Sequence, residues 1–271
     1  MNLLKNIQAH WKIRSLALFF LGTTIVVYSL DEIPEKPEWF IYADHRILMG
    51  IANFGDVVSN ILFLIFGMLG LRFMLNLESN SATFEFPREK IAPTVFFIGI
   101  FLTGVGSGWY HLDPTGMRLV WDRLPMAMAF MSIFCMLVSD HIHSRAGSGM
   151  LLPLLILGMG SVVWRHWTGL NGDADSRPYA LVQFFPMLAI PYVLLMYESR
   201  YTHNGGYWKI LICYAIAKFF ELYDHETFQS LGCVSGHSIK HMAAGLGVFF
   251  VLQMLKERTL KPSKFDQYSE R

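Results

Sequence analysis

Long apolar runs separated by short polar stretches dominate the chain. Runs long enough to cross a bilayer, or nearly so, fall at about 13–30, 55–75, 91–110, 122–139, 149–164, 179–197, 207–223 and 238–256. They predict eight helices joined by short loops. The fifth run is the shortest and contains Pro153. The first follows Lys5, Lys12 and Arg14, as the apolar part of a signal peptide would. It is long, however, and its end, VVYSLDEIP, lacks a small-x-small cleavage site, so it reads as a retained anchor.

Composition agrees with this pattern. The 271 residues are 53% hydrophobic and only 16% charged, with a mean hydropathy of +0.37, whereas about a quarter of a soluble domain is charged. The expected fold class is an all-α integral membrane protein, built as a single membrane domain. No internal repeat is evident. A net charge of +1 gives no reason to expect nucleic acid as a partner. Cys135 and Cys213 lie in apolar runs and Cys233 stands alone in a loop, so no disulfide framework is expected.

Lysine and arginine set an expected orientation. With eight spans, one side holds both termini and the even-to-odd loops, and it carries fourteen basic residues: Lys5, Lys12, Arg14, Arg72, Arg88, Lys90, Arg145, Arg200, Lys209, Lys256, Arg258, Lys261, Lys264 and Arg271. The other side carries seven, Lys36, Arg46, Arg118, Arg123, Arg165, Arg177 and Lys240, and Lys218 falls within a span. The positive-inside rule then puts both termini in the cytoplasm.

Two polar signatures interrupt the apolar runs, Ser107-x-x-x-His111 (GSGWYH) and His237-x-x-x-His241 (GHSIKH), and Asp122 follows eleven residues after the first histidine. Residues i and i+4 share a helix face. By the parity of the spans, the end of the third run and the starts of the fourth and eighth meet at the outer leaflet. Polar groups more than a hundred residues apart are thereby delivered to one level. Polar residues inside a membrane are costly and mark function more often than not. Three imidazoles, a carboxylate and a hydroxyl suit a catalytic zinc with an open coordination position. Such a zinc lowers the pKa of its water towards about 7. Asp122 is placed to orient that water and carry its proton, and Ser107 to donate to an oxyanion. A lipid amide or ester is the substrate expected in an apolar bundle. Each residue also has a plainer reading: Ser107 as a helix-packing serine, Asp122 as an ion-pair partner of Arg123. Gly104, Gly106 and Gly108 allow close approach of a helix or a lipid chain.

Other polar residues near the outer side are candidates for supporting roles. Asp56 and Asn60, spaced i,i+4, either hydrogen-bond a ligand histidine or only cap and pack their helix. Lys218, Glu221 and Asp224 read as a structural salt bridge or as contacts for a lipid headgroup. His141-x-His143, with Asp140 and Arg145, reads as a solvated loop on the cytoplasmic side. His45, His166 and His225 show no partner pattern.

GVGSGWYH, WDRLPM and the late SGHSIKH, in that order, resemble the CREST superfamily of membrane hydrolases, which includes alkaline ceramidases and the progestin and adipoQ receptors. The similarity is to bacterial proteins of the alkaline ceramidase branch, and FGDVVSN (Phe54–Asn60) corresponds to the opening of the first family helix. The resemblance covers residues 39–256. It implies a seven-helix bundle formed by the second to eighth runs, with 13–30 as an extra N-terminal helix and 257–271 as a cytoplasmic tail. It also implies Zn2+ held by His111, His237 and His241, with Ser107 and Asp122 as catalytic residues. Some eukaryotic alkaline ceramidases carry a calcium-binding acidic segment before their first helix. The matching stretch here has Asp44 as its only carboxylate, so calcium is not expected.

Together these readings predict a zinc-dependent intramembrane hydrolase of a ceramide-like lipid, giving a sphingoid base and a fatty acid. The rivals are a receptor-like or lipid-binding protein with a structural zinc, and a purely structural membrane protein. Neither oligomeric state nor acyl-chain preference can be read from the sequence.

Overall fold

In the computed structural model the described residues are 2–32, 34, 40–78, 81–172 and 174–262, with side chains from residue 11 onward. The expected boundary at residue 39, most of the expected tail, and Lys36, Lys264 and Arg271 of the charge tally lie outside them; so does the side chain of Lys5. The elements are α1 (Asn2–Ser29), α2 (Phe54–Val58), α3 (Ile61–Leu75), α4 (Ile91–Leu112), α5 (Gly116–His141), α6 (Ser144–Leu170), α7 (Arg177–Met196), α8 (Gly206–Leu222), α9 (Asp224–Leu231) and α10 (Gly236–Glu257), with a 3-10 turn at Pro87–Lys90.

Seven helical segments among the described residues are long and apolar enough to cross a membrane. They are α1, the α2–α3 pair, α4, α5, α6, α7 and α10. The expected span at 207–223 is α8. At 17 residues it is about 26 Å long, short of a hydrocarbon core of about 30 Å. It stops because the chain turns at Tyr223 into α9. The fifth run grows to 27 residues as α6, with Pro153 inside the helix.

α5 lies at the centre, with 78% of its apolar window buried against 28% for α6. α4, α6 and α7 pack around it, while α10 joins α8 to α3. The core runs through Phe96, Phe97, Leu137, Ile190 and Val251. α1 stands apart from this bundle and leans on α7, where Phe19 stacks on Tyr192 and meets Phe185. Most of its apolar surface is exposed, as expected of a helix facing lipid chains.

The ends of the bundle differ in chemistry. Because the helices alternate in direction, the end of α4 and the starts of α2, α5 and α10 share one end. The opposite end holds a buried ionic clasp. Arg258 donates to Asp140 Oδ2 (2.7 Å), which also accepts from the Tyr207 hydroxyl (2.8 Å), and Arg200 pairs with Glu89. This corrects the reading of 140–143 as a solvated loop. Asp140 and His141 belong to the last turn of α5 and are buried, because partners for Asp140 arrive from α8 and from the residue just after α10.

Candidate functional site

Local sequence explains how α10 delivers its histidines. Ser235 caps the helix, its hydroxyl accepting from the Ser238 N–H (2.9 Å). The hydroxyls of Ser235 and Ser238 both donate to Asp56 Oδ1, the latter at 2.8 Å. Asp224 Oδ1 accepts the His237 N–H (2.8 Å), which satisfies a first-turn amide that has no partner within the helix. Its Oδ2 accepts the Ala43 N–H (2.9 Å). Asp224 therefore ties the loop before α2 to the start of α10. Gly236 makes this join close: a Cβ there would meet Phe220 O at 2.3 Å and Asp224 Cα at 2.7 Å.

His111, His237 and His241 are buried, and their ligand-capable nitrogens lie within 4.8 Å of one another. His111 Nε2 and His237 Nε2 are 3.1 Å apart. Nitrogens about 2.0–2.1 Å from one tetrahedral zinc would be about 3.3–3.4 Å apart, so this donor set fits that metal. His241 Nδ1 lies 2.8 Å from Ser59 Oγ, whose own proton goes to the Asp56 carbonyl (3.2 Å). Ser59 thus accepts from His241 Nδ1–H. The lone pair of Nε2 is left to face its neighbours.

Ser107 and Asp122 come together across the α4–α5 contact. α5 begins at Gly116, not at Asp122 as the apolar pattern predicts, so Asp122 sits in the second turn, half-buried. Its neighbour Arg123 turns away to lie over the Tyr179 ring, 4.8 Å from its centre. The helices meet closely because Gly106 faces the Trp121 carbonyl, which a Cβ would approach to 2.1 Å. Beside Ser107, then, glycine serves helix packing.

The supporting candidates separate. Asp56 is buried and holds the two cap serines, while its carbonyl serves Ser59 and the Asn60 amide (2.7 Å). The side-chain bond expected from Asp56 or Asn60 to a ligand histidine is made instead by Ser59. Lys218 and Glu221 form the expected ion pair, and Lys240 joins it at 2.6 Å from Glu221 Oε1.

Tyr42 is a residue the helical pattern had no means to reveal. From the loop before α2 its ring lies edge-on to His111 and His237, at centroid distances of 4.7 and 4.5 Å, and its hydroxyl bonds that of Tyr110 (2.7 Å). The same loop is held by Asp44, which accepts from Gly55 N–H (3.0 Å) and Arg46 (2.7 Å). Burial pushes the Asp44 carboxyl up, but the Arg46 side chain and the backbone N–H groups of Arg46 and Gly55 outweigh it and hold it below the usual 3.8.

Beneath the histidines a small apolar cavity of about 100 Å³ enters the bundle between Phe63, Thr103, Phe130 and Tyr214. Phe63 also contacts the His241 ring (centroids 6.0 Å). The site therefore joins a polar, metal-competent pole to an apolar interior.

The chain is similar to a Dictyostelium discoideum protein named "Putative alkaline ceramidase dcd3B", with 26% identity over 121 residues. That match spans 42% of this chain and 42% of the relative. Residues 43–268, which include every site residue above except Tyr42, match the Ceramidase family along their whole length, and the chain belongs to that family.

Proposed function

We propose that the chain is a zinc-dependent intramembrane hydrolase that cleaves the amide bond of a ceramide-like lipid, giving a sphingoid base and a fatty acid. One observation carries this reading in a chain of the Ceramidase family. Three buried imidazoles converge from α4 and α10 beside the Ser107 and Asp122 side chains. His111, His237 and His241 would hold the metal. Bound zinc supplies Lewis acidity that polarises the amide carbonyl and makes water nucleophilic near neutral pH.

The chain's own residues do the rest. Asp122 takes a proton from the attacking water as the new C–O bond forms. It returns that proton to the amide nitrogen as the C–N bond breaks, leaving a carboxylic acid and an amine, and the acid's remaining proton then passes to the amine to give a carboxylate and an ammonium. Ser107 lies beside the Asp122 carboxylate, and its hydroxyl would donate to the oxyanion as it develops. Tyr42 lies against two of the three imidazoles and restricts water at the cluster. The cavity below gives an acyl chain an entry into the bundle. Met126 and Met187 line it, and such unbranched side chains repack readily to admit a longer chain.

The test uses purified protein in detergent with short- and long-chain ceramides, measuring fatty acid release and zinc content on the same samples. Wild type should carry about one zinc per chain, the number a single three-histidine site holds. His237→Ala should lose it. Asp122→Asn should keep the zinc and lose most of the activity, and Ser107→Ala should lose less, about 10²-fold to 10³-fold. Equal ceramide turnover by Asp122→Asn and wild type removes the proton-transfer role. A zinc-loaded wild type that releases nothing from any ceramide overturns the substrate assignment and favours the lipid-binding alternative.

A further inference from the structure

We propose that Lys240 is a further catalytic residue, resting on the hydrolase reading above: its ammonium binds the oxygens of the scissile acyl group, first the carbonyl oxygen as charge gathers there, then the carboxylate of the fatty acid product. Lys240 lies three residues after His237 and so shares its side of α10. Its Nζ is 3.4 Å from His237 Nε2, the nitrogen that faces His111, and 2.6 Å from Glu221 Oε1. The lysine is thus aimed at the histidine cluster, with a carboxylate fixing its position.

The donors of this ammonium are not used up. Lysine carries three N–H donors, and Glu221 accepts one of them. Another points at His237 Nε2, whose lone pair would go to a bound metal, and that donor is then left facing the site. Glu221 cannot neutralise it fully, because its second oxygen takes Lys218. Lys218 is drawn off towards the Phe184 ring, 5.4 Å from its centre. Two ammonium groups therefore share Glu221, and Lys240, beside the histidines, also lies within electrostatic reach of Asp122, so once Asp122 has taken up its proton the charge of Lys240 is left to the site. An anionic oxygen is the ligand that meets this need, and hydrolysis of an amide produces one at this place.

A simple staple between α8 and α10 does not account for the arrangement. These helices already pack along their length, with Gly206 against Met254 and Gly247 against Ile210. A half-buried ion pair adds little to such a contact.

The experiment compares dodecanoate with dodecanol as ligands of zinc-loaded protein by calorimetry, together with ceramide kinetics, in wild type and in Lys240→Met, Lys240→Gln and Lys240→Arg. Wild type should prefer the carboxylate. Lys240→Met should reduce that preference about tenfold or more, as expected for loss of a charged hydrogen bond. It should also lower kcat about 10²-fold with little change in KM. Lys240→Arg should retain the preference and Lys240→Gln lose it, which decides the matter if the methionine variant does not fold. Unchanged preference and kcat in folded, zinc-loaded Lys240→Met overturns the proposal, as does an equal preference in the arginine and glutamine variants. A wild type that never cleaves ceramide sinks the hydrolase reading, whereas the carboxylate-to-alcohol ratio still judges Lys240 alone.

Discussion

Ser59 decides which nitrogen of His241 faces the other two imidazoles, and that is a task of a single hydroxyl. It sits at the break between α2 and α3, where no helical spacing marks it, so it was invisible in a pattern built on i,i+4 faces. Tyr42 escaped for the same reason, lying in the loop before α2. By contrast His111, His237, His241, Ser107 and Asp122 were legible, because costly polar residues at helical spacing stand out in apolar runs. Groups that orient a ligand histidine commonly carry 10-fold to 100-fold in metal affinity. Ser59→Ala removes the acceptor of His241 Nδ1–H. Its zinc affinity, measured by competition with a coloured chelator, is expected to fall about tenfold, at the low end of that range. An unchanged affinity would mean that Ser59 does not orient the His241 ring.

At the scale of elements, the α4–α5 contact aligns the polar residues. Gly106 places the α4 backbone against the Trp121 carbonyl, next to Ser107 and Asp122. An alanine there must push α4 from α5 against a backbone atom. Overpacking of this kind costs about 1–3 kcal/mol. Gly106→Ala is therefore expected to lower the thermal midpoint and reduce ceramide turnover, while Gly160→Ala on α6, with open space around its Cβ position, does neither. Equal behaviour of the two variants would show that the contact relaxes freely. Helix existence and order were readable from hydropathy, but ends were not. α5 starts six residues before the predicted run, since Gly116–Trp121 is helical without being uniformly apolar. The clasp of Asp140, Tyr207 and Arg258 was hidden because its members lie 67 and 118 residues apart. Nothing local distinguishes a charged residue that will find such a partner from one left in water.

For the whole molecule, the bundle separates two polar poles by the length of its helices, and the membrane must distinguish them. One pole holds the histidines, Asp122, Glu221 and the start of α10. The other holds the ionic clasp, the end of α10 and the cytoplasm-facing loops expected from the charge tally. Lys12 on α1 reaches the His141 carbonyl (3.5 Å), so the first helix starts at this second pole too. The fourteen-to-seven split of basic residues between the loops favours this pole as cytoplasmic. We therefore expect the proposed hydrolytic site at the outer face, with both termini inside. Native Cys233 reports on this directly. It is exposed just before α10, at the histidine pole, whereas Cys135 and Cys213 are buried. A membrane-impermeant maleimide added to intact cells should label wild type and leave Cys233→Ser unlabelled. Thr115→Cys on the Cys233→Ser background should restore the label from the α4–α5 loop. A reporter fused to the C-terminus should be active only if it is cytoplasmic. Labelling that appears only after the cells are opened, with an outward reporter, would invert the molecule and move its proposed chemistry to the inner leaflet.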